Sequence, residues 1–100
     1  MRMMARVTVD VEKGNDAIRT GNMAKVIGDF MERAKPEAAY FTAYQGKRTG
    51  IFFLDVKDSS QLPPLFEDFF HKLNADIEFT PVMNSDELKA GLGAYAAQSR

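Results

Sequence analysis

Hydrophobic and polar residues alternate at the start of the chain. Apolar side chains occupy every second position from Met3 to Val11, with mainly polar residues between them. Because successive residues of a strand point to opposite faces, this pattern predicts a β-strand with one buried side. The segment that follows, residues 12–22, contains Gly14, Asn15 and Gly21, which predict an irregular connection.

Three later segments have apolar residues at the three-to-four-residue spacing of a helix. They cover about Asn22 to Lys35, Leu62 to Leu73, and Asp86 to about Ala97. Pro36 ends the first of them, because a residue that precedes proline is pushed out of the helical region. Ser85 is the predicted N-cap of the last helix.

Three more strands are predicted. Ala38–Tyr44 and Gly50–Val56 are joined by a polar, glycine-containing turn of hairpin length. The second of these strands is almost continuously apolar, which is typical of a central strand buried on both faces. Apolar residues alternate again in Ile77–Met83, where Pro81 favours a position at the sheet edge.

The predicted element order is β-α-β-β-α-β, followed by an extra C-terminal helix. This order is typical of a ferredoxin-like α+β fold with a four-stranded antiparallel sheet and two covering helices. Right-handed crossovers place the first and third strands in the centre of the sheet. A chain of 100 residues is the size of one domain, so a single domain is expected over 1–100.

Composition narrows the function classes. The 13 basic and 14 acidic residues give a net charge of -1, and no basic run is present, so nucleic-acid binding is not expected. There is no cysteine, which excludes disulfides and thiolate metal sites and fits a cytoplasmic location. No apolar stretch approaches the length of a membrane helix, and the first residues lack the apolar region of a secretory signal. We therefore expect a soluble, cytoplasmic protein without a membrane partner.

The second face of the predicted sheet mixes polar and apolar side chains, including Arg6, Thr8, Ile51, Phe53 and Val82. The mixture is too polar for a core, yet its apolar members form a contiguous patch, which usually marks an interface. The sequence therefore predicts a homodimer that pairs through this face. The alternative is a solvated face with scattered apolar residues, which is common in soluble proteins.

Three segments of the chain resemble a group of small, uncharacterised bacterial proteins: residues 35–41, residues 74–79, and the start of the last helix at 86–88. That group belongs to the dimeric α/β-barrel superfamily, in which two ferredoxin-like subunits press their sheets together. The similarity of pattern extends from Met3 to Leu92. The superfamily includes cofactor-independent monooxygenases, muconolactone-type isomerases, haem-handling enzymes and binding modules. None of its catalytic motifs maps onto this chain, so the resemblance implies a fold and a dimer but no catalytic residue.

Two positions are candidates for charge-based chemistry. Arg19 precedes a predicted helix N-terminus, where free backbone amides attract anions, so it could clamp a phosphate or carboxylate. The alternative for its segment is a purely structural loop. The single histidine, His71, is predicted on the exposed side of its helix, paired with Glu67. With one histidine and no cysteine, no metal site is expected.

Aromatic and basic residues near the strands are candidates for ligand binding. Tyr40, Tyr44 and Arg48 could bind a small aromatic or carbonyl compound through phenol and guanidinium groups. The alternative is that the tyrosines pack at the sheet edge with their hydroxyls at the rim. Phe70 lies slightly off the apolar stripe of its helix, which makes it a candidate for a pocket or a subunit contact.

Two functions remain open at this point. The first is a dimeric small-ligand-binding or interaction module, which needs no convergent ionisable groups around a cavity. The second is a cofactor-independent enzyme, isomerase- or monooxygenase-like, acting on a small aromatic or carbonyl compound. The enzyme requires an apolar pocket between helices and sheet, with a tyrosine, arginine or carboxylate pointing in. The sequence implies no cofactor for either.

Overall fold

Four antiparallel strands form the sheet in the computed structural model, which describes residues 1–99. They are β1 (Arg2–Thr8), β2 (Ala38–Tyr44), β3 (Lys47–Asp55) and β4 (Asp76–Pro81). Their order across the sheet is β2-β3-β1-β4, so the first and third strands are central, as predicted. Pro81 ends an edge strand, where its missing backbone N–H is tolerated.

Within residues 1–99, four helices accompany this sheet: α1 (Val11–Thr20), α2 (Asn22–Ala34), α3 (Leu62–Leu73) and α4 (Ser85–Gln98). A short 3-10 turn, Ser59–Gln61, leads into α3. The element order is therefore β-α-α-β-β-α-β-α. This α+β architecture is compatible with a ferredoxin-like fold, but it contains one helix more than predicted.

The additional helix, α1, corrects the prediction for the first connection. β1 ends at Thr8 rather than at Val11, and α1 replaces the irregular segment. Asp10 caps the helix, because its side chain accepts a hydrogen bond from the backbone amide of Lys13 at 3.0 Å. Gly21 ends it with a φ of 80°, a left-handed conformation that glycine adopts without steric cost.

The N-terminus of α4 differs from the prediction by one residue. Asn84, not Ser85, is the N-cap: its side-chain oxygen accepts a hydrogen bond from the Glu87 amide at 2.8 Å. The Glu87 carboxylate in turn accepts one from the Asn84 amide at 2.8 Å. This reciprocal pair is a capping box, which satisfies two backbone donors at the start of the helix.

One face of the sheet, here called the covered face, packs against α1, α2 and α3. Phe30 of α2 lies at the centre of this core and is 1% exposed. Its ring centroid is 4.6 Å from that of Phe52 on β3, and about as close to Phe66 and Phe69 on α3, at 5.1 and 5.0 Å. These tilted and edge-to-face contacts are the favoured geometry of aromatic pairs. The core therefore holds the three helices to the sheet.

The opposite face, here called the open face, is not covered by any helix in the described part of the chain. The register places the following side chains on it: Met4, Arg6, Thr8, Tyr40, Thr42, Tyr44, Thr49, Ile51, Phe53, Glu78 and Thr80.

The last helix, α4, projects from the rest of the molecule. Every residue of Ser85–Gln98 is exposed. The radius of gyration is 16.4 Å, whereas a compact domain of this length has about 13 Å. The extents of the molecule are 60 × 27 × 18 Å. α4 therefore adds length to the molecule without adding to its core.

Candidate functional site

A cavity lies between the helices and the covered face. Its volume is about 190 Å³, comparable with an engineered cavity of about 150 Å³ that binds benzene. Residues of α2, α3, the first three strands and the connection after β1 form its walls: Val7, Val9, Met23, Ile27, Phe41, Thr42, Arg48, Thr49, Gly50, Phe52, Phe69 and Leu73. A molecule the size of a substituted benzene ring matches this volume.

The cavity has a buried back and an exposed mouth. At the back, Val7 and Phe52 are each 1% exposed and Leu73 is fully buried. At the mouth, the Phe41 side chain is 57% exposed and Arg48 is exposed as well. A ligand could therefore place an apolar body inside and a polar group at the mouth.

Gly50 leaves room for the aromatic rings at this site. A Cβ atom at Gly50 would lie 2.9 Å from two ring carbons of Phe52 and 3.4 Å from Cε1 of Phe41. The Phe52 ring is buried and cannot move away easily. A glycine is thus required here for the close approach of the Phe52 ring to the β3 backbone.

Arg48 is the charged side chain at the mouth. Its Nη1 donates a hydrogen bond to Oδ1 of Asn15 on α1 at 2.9 Å. A Cβ atom at Gly14 would lie 3.1 Å from that Nη1, so α1 approaches the guanidinium closely. The helix that the sequence did not predict is therefore the element that positions this arginine.

Among the arginines within residues 1–99, Arg48 differs from the others in having no carboxylate within 4.0 Å. The other four are each paired with an acidic residue: Arg2 with Glu37 and Glu87, Arg6 with Glu78, Arg19 with Asp16, and Arg33 with Asp68. Because a guanidinium presents five donors in a planar fork, one amide partner leaves Arg48 with donors for an anionic or carbonyl group.

The cavity lining of the described chain contains no tyrosine, histidine or carboxylate. Thr49 and Thr42 contribute to the lining, but the register places their side chains on the open face. The Thr49 hydroxyl donates to the Lys47 carbonyl at 3.1 Å instead. Arg48 is therefore the one ionisable side chain that borders the cavity.

The other predicted ligand-binding residues do not converge on this site. Arg19 is exposed on α1, where it pairs with Asp16. Tyr40 and Tyr44 lie on the open face. Phe70 is 41% exposed on α3 and does not line the cavity. The structure thus brings Arg48 to a cavity and leaves the other four predicted residues elsewhere.

The predicted dimer residues lie together on the open face. Arg6, Thr8, Ile51 and Phe53 point to it from the two central strands and are partly buried. Val82 follows β4, and its amide donates to the Arg2 carbonyl at 3.1 Å, which continues the register by one residue.

Arg6 is the most constrained group on the open face. Its guanidinium carbon lies 4.6 Å from the ring centroid of Tyr44, a cation–π geometry. Its Nη1 is 3.8 Å from the Glu78 carboxylate. Its Nε is buried and has no hydrogen-bond partner within residues 1–99. Such an unsatisfied donor carries a desolvation cost.

A charged cluster occupies the end of the sheet where β1 begins. Arg2 donates to Glu37 at 2.7 Å and also to Glu87 of α4. The hydrogen bond with Glu37 raises the pKa of Arg2 above its ordinary value. The backbone amide of Asn84 lowers the pKa of Glu87 below its ordinary value. These charges satisfy one another, so the groove they line has fewer free groups for a ligand than the mouth at Arg48.

The remaining features add no chemistry to the cavity. His71 is exposed, with Nε2 3.1 Å from a Glu67 carboxylate oxygen, which confirms the predicted pair. No three His, Cys, Asp or Glu side chains of residues 1–99 are close enough together to hold a metal ion. None of the helices in the same range is long and apolar enough to cross a membrane.

No protein-family model matches the chain, and no curated protein is similar to it at a significant level. The candidate site is therefore defined by its own geometry.

Proposed function

We propose that the chain is a dimeric small-ligand-binding module of the ferredoxin-like type. Its cavity would take a small, largely apolar molecule with an anionic or carbonyl group. One observation carries this proposal: Arg48, which has no acidic partner within residues 1–99, borders a cavity whose other walls are mainly apolar. Apolar walls with one fixed polar group are the usual composition of a small-molecule site.

The size of the cavity restricts the ligand class. Its volume of about 190 Å³ is below the usual range of about 300–1,000 Å³ for pockets that enclose drug-sized ligands. A cofactor or nucleotide would not fit inside. A small aromatic or short aliphatic carboxylate would place its apolar part beside Phe52 and its carboxylate at Arg48.

The lining favours binding over the alternative of an isomerase- or monooxygenase-like enzyme. Proton transfer needs a group that can gain and lose a proton near neutral pH. A guanidinium group does not serve this purpose in proteins. With no tyrosine, histidine or carboxylate in the described lining, the site has an anchor for a ligand but no acid or base.

The binding proposal can be tested with benzoate and its neutral counterpart benzamide as probes, followed by amide NMR spectra. We expect benzoate to shift the signals of Gly50 and Phe41. Arg48→Met should weaken benzoate binding by roughly tenfold or more, because a hydrogen bond to a charged group contributes about 1.5–3 kcal/mol. Benzamide binding should change less.

Lys47→Met is the matched control, since Lys47 is the adjacent exposed cation and does not line the cavity. It should leave benzoate binding nearly unchanged. Equal losses of benzoate affinity in the Lys47 and Arg48 variants would mean that the overall positive charge of the protein, and not Arg48 itself, causes the effect. The proposal would be contradicted if neither benzoate nor benzamide shifted the amide NMR signals of the residues that line the cavity.

The dimer part of the proposal depends on the open face. Ile51 and Phe53 of β3 lie there beside Arg6, whose buried Nε has no partner within residues 1–99. A second sheet placed against this face would bury the apolar groups and could supply an acceptor for Arg6. The mixture of apolar and polar side chains is typical of an interface rather than of a core.

Analytical ultracentrifugation tests the dimer. We expect the wild-type chain to sediment as a dimer at micromolar concentration, and Phe53→Glu to shift it toward monomer. Phe70→Glu is the control, because Phe70 is an equally large aromatic residue that is exposed on α3, away from the open face. A monomeric wild-type chain, or dissociation by the Phe70 variant alone, would contradict pairing through the open face.

A further inference from the structure

α4 carries an exposed apolar stripe. Leu88, Leu92 and Tyr95 recur at helical spacing and are 46%, 57% and 64% exposed. We call these three residues the α4 stripe. The remainder of the helix consists mostly of small and polar residues, including Gly91 and Gly93.

A helix of this kind is not stable by itself. Its 14 residues are near the limit of about 12–15 residues below which isolated helices are marginal in water. Each interior glycine costs about 1 kcal/mol relative to alanine. The capping box at Asn84 supports only its first turn. Burial of the α4 stripe would supply the missing stabilisation.

Three exposed aromatic residues lie along the edge strand β2. Tyr40, Phe41 and Tyr44 are 63%, 57% and 38% exposed, and we call them the β2 cluster. Tyr40 and Tyr44 point to the open face and Phe41 points to the covered face, so the cluster flanks both sides of this edge. One side of β2 pairs with β3, and its other side has no partner strand within residues 1–99. Exposed edges of this kind are usually protected by charges or by a covering element.

The α4 stripe and the β2 cluster do not meet within one chain. β2 and β4 form opposite edges of the sheet, and α4 follows β4. Every residue of α4 is also exposed. Both apolar groups are exposed in the single chain, and a second copy of the chain would bury them.

We propose that α4 is an arm exchanged between two copies, with the α4 stripe of each copy packed along the β2 cluster of the other. This inference rests on the open-face dimer proposed above and adds a second contact to it. Under two-fold symmetry the exchange is reciprocal, so both arms and both β2 edges are covered.

The expected size of the interface favours an exchanged α4 in addition to contact through the open face. Four strands spaced about 4.8 Å apart, each about seven residues of 3.3 Å, give an open face of roughly 440 Å² in projection. A stable interface usually buries about 800 Å² on each partner. The open face alone is thus roughly half of that size. An exchanged helix of about 21 Å length brings the interface closer to the standard size.

The arm would also border the ligand site. Phe41 belongs to the β2 cluster and also lines the cavity mouth. An α4 helix from the second copy on β2 would therefore lie beside the entrance near Arg48. The exchange would make ligand entry depend on the dimer.

Cysteine cross-linking tests this contact directly, because the chain has no cysteine of its own. Leu92→Cys and Tyr40→Cys chains are prepared separately, one of them labelled with nitrogen-15, then mixed and mildly oxidised. We expect a mixed disulfide, identified by its mass. Ala94→Cys replaces Leu92→Cys in the control, since Ala94 lies on the opposite side of α4 and should link poorly.

A substitution on the arm gives a second measurement. Leu92→Glu should raise the dissociation constant of the dimer by tenfold or more, whereas Ala94→Glu should change it little. A wild-type dimer without the mixed disulfide, and with equal effects of the two glutamates, would overturn the arm and leave the open-face dimer intact. A wild-type chain that sediments as a monomer would overturn both.

Discussion

The covered face and the open face of the sheet use the same strands in opposite ways. On β3, Phe52 points to the covered face and is 1% exposed, whereas its neighbour Phe53 points to the open face and is only partly buried. The covered face meets α1, α2 and α3 through an aromatic core. The open face meets no helix of residues 1–99, and every residue of α4 is exposed.

The two faces therefore contribute to different processes: the covered face to the folding of one chain, and the open face to the proposed association of two chains. The covered face buries large side chains within one chain. It also borders the cavity, where Gly50 has no side chain to fill the space beside Phe52. The open face and α4 expose apolar side chains that a single chain cannot bury. The first region therefore determines the stability of each copy. We propose that the second determines how copies pair.

Truncation of the two neighbouring phenylalanines should give the largest contrast. Phe52→Ala should lower the free energy of unfolding by about 3–5 kcal/mol, because it removes a ring at the centre of the core. Phe53→Ala should lower it by only about 1 kcal/mol, since a partly buried ring loses less apolar contact. Urea unfolding at a concentration where the Phe53 variant is monomeric measures both. Equal losses would contradict the distinction between the faces.

Replacing each of two glycines by alanine should change the stability of the folded chain in opposite directions. Gly50→Ala should destabilise the chain by about 1–3 kcal/mol, because the new Cβ overlaps the buried Phe52 ring. Gly28→Ala should stabilise it by about 0.5–1 kcal/mol, since Gly28 is exposed in α2 with no atom within 4 Å of the added Cβ. Thermal unfolding distinguishes the two. A stabilising Gly50→Ala would mean that the ring and the strand are not in close contact.

Most of the secondary structure could be predicted from the sequence, because large apolar side chains recur at the spacing of a strand or of a helix. The strands and α2, α3 and α4 follow from such patterns, with errors of a few residues at their ends. α1 could not be found this way, because its buried residues are Gly14 and Ala17, which make no apolar stripe. Asp10 and Gly21 were the available signals, as an N-cap and a C-terminal glycine eleven residues apart.

The cavity was less predictable than the fold. Arg48 could be selected as a polar residue beside a strand, but its position at a cavity depends on α1 packing against Gly14 and on the space above Gly50. Tyr40 and Tyr44 have equally suggestive side chains, yet the register turns them to the open face. A cavity is a property of packing, so residue types alone do not locate it.

The smallest expected effect concerns the pH dependence of α4. Hydrogen bonding from Asn84 lowers the pKa of Glu87 in the folded chain. Because the pKa of Glu87 is lower in the folded chain, its ionised carboxylate stabilises the helix start at pH values above the unfolded pKa, which is about 4.3. This stabilisation disappears as the pH falls through the folded pKa. The Asn84 amide signal should therefore titrate with a midpoint below about 4.3, and it should not titrate in Glu87→Gln, which keeps an acceptor oxygen. Core amides such as that of Phe52 should not respond in this pH range. An Asn84 midpoint at or above the ordinary glutamate value would show that the capping box is not formed.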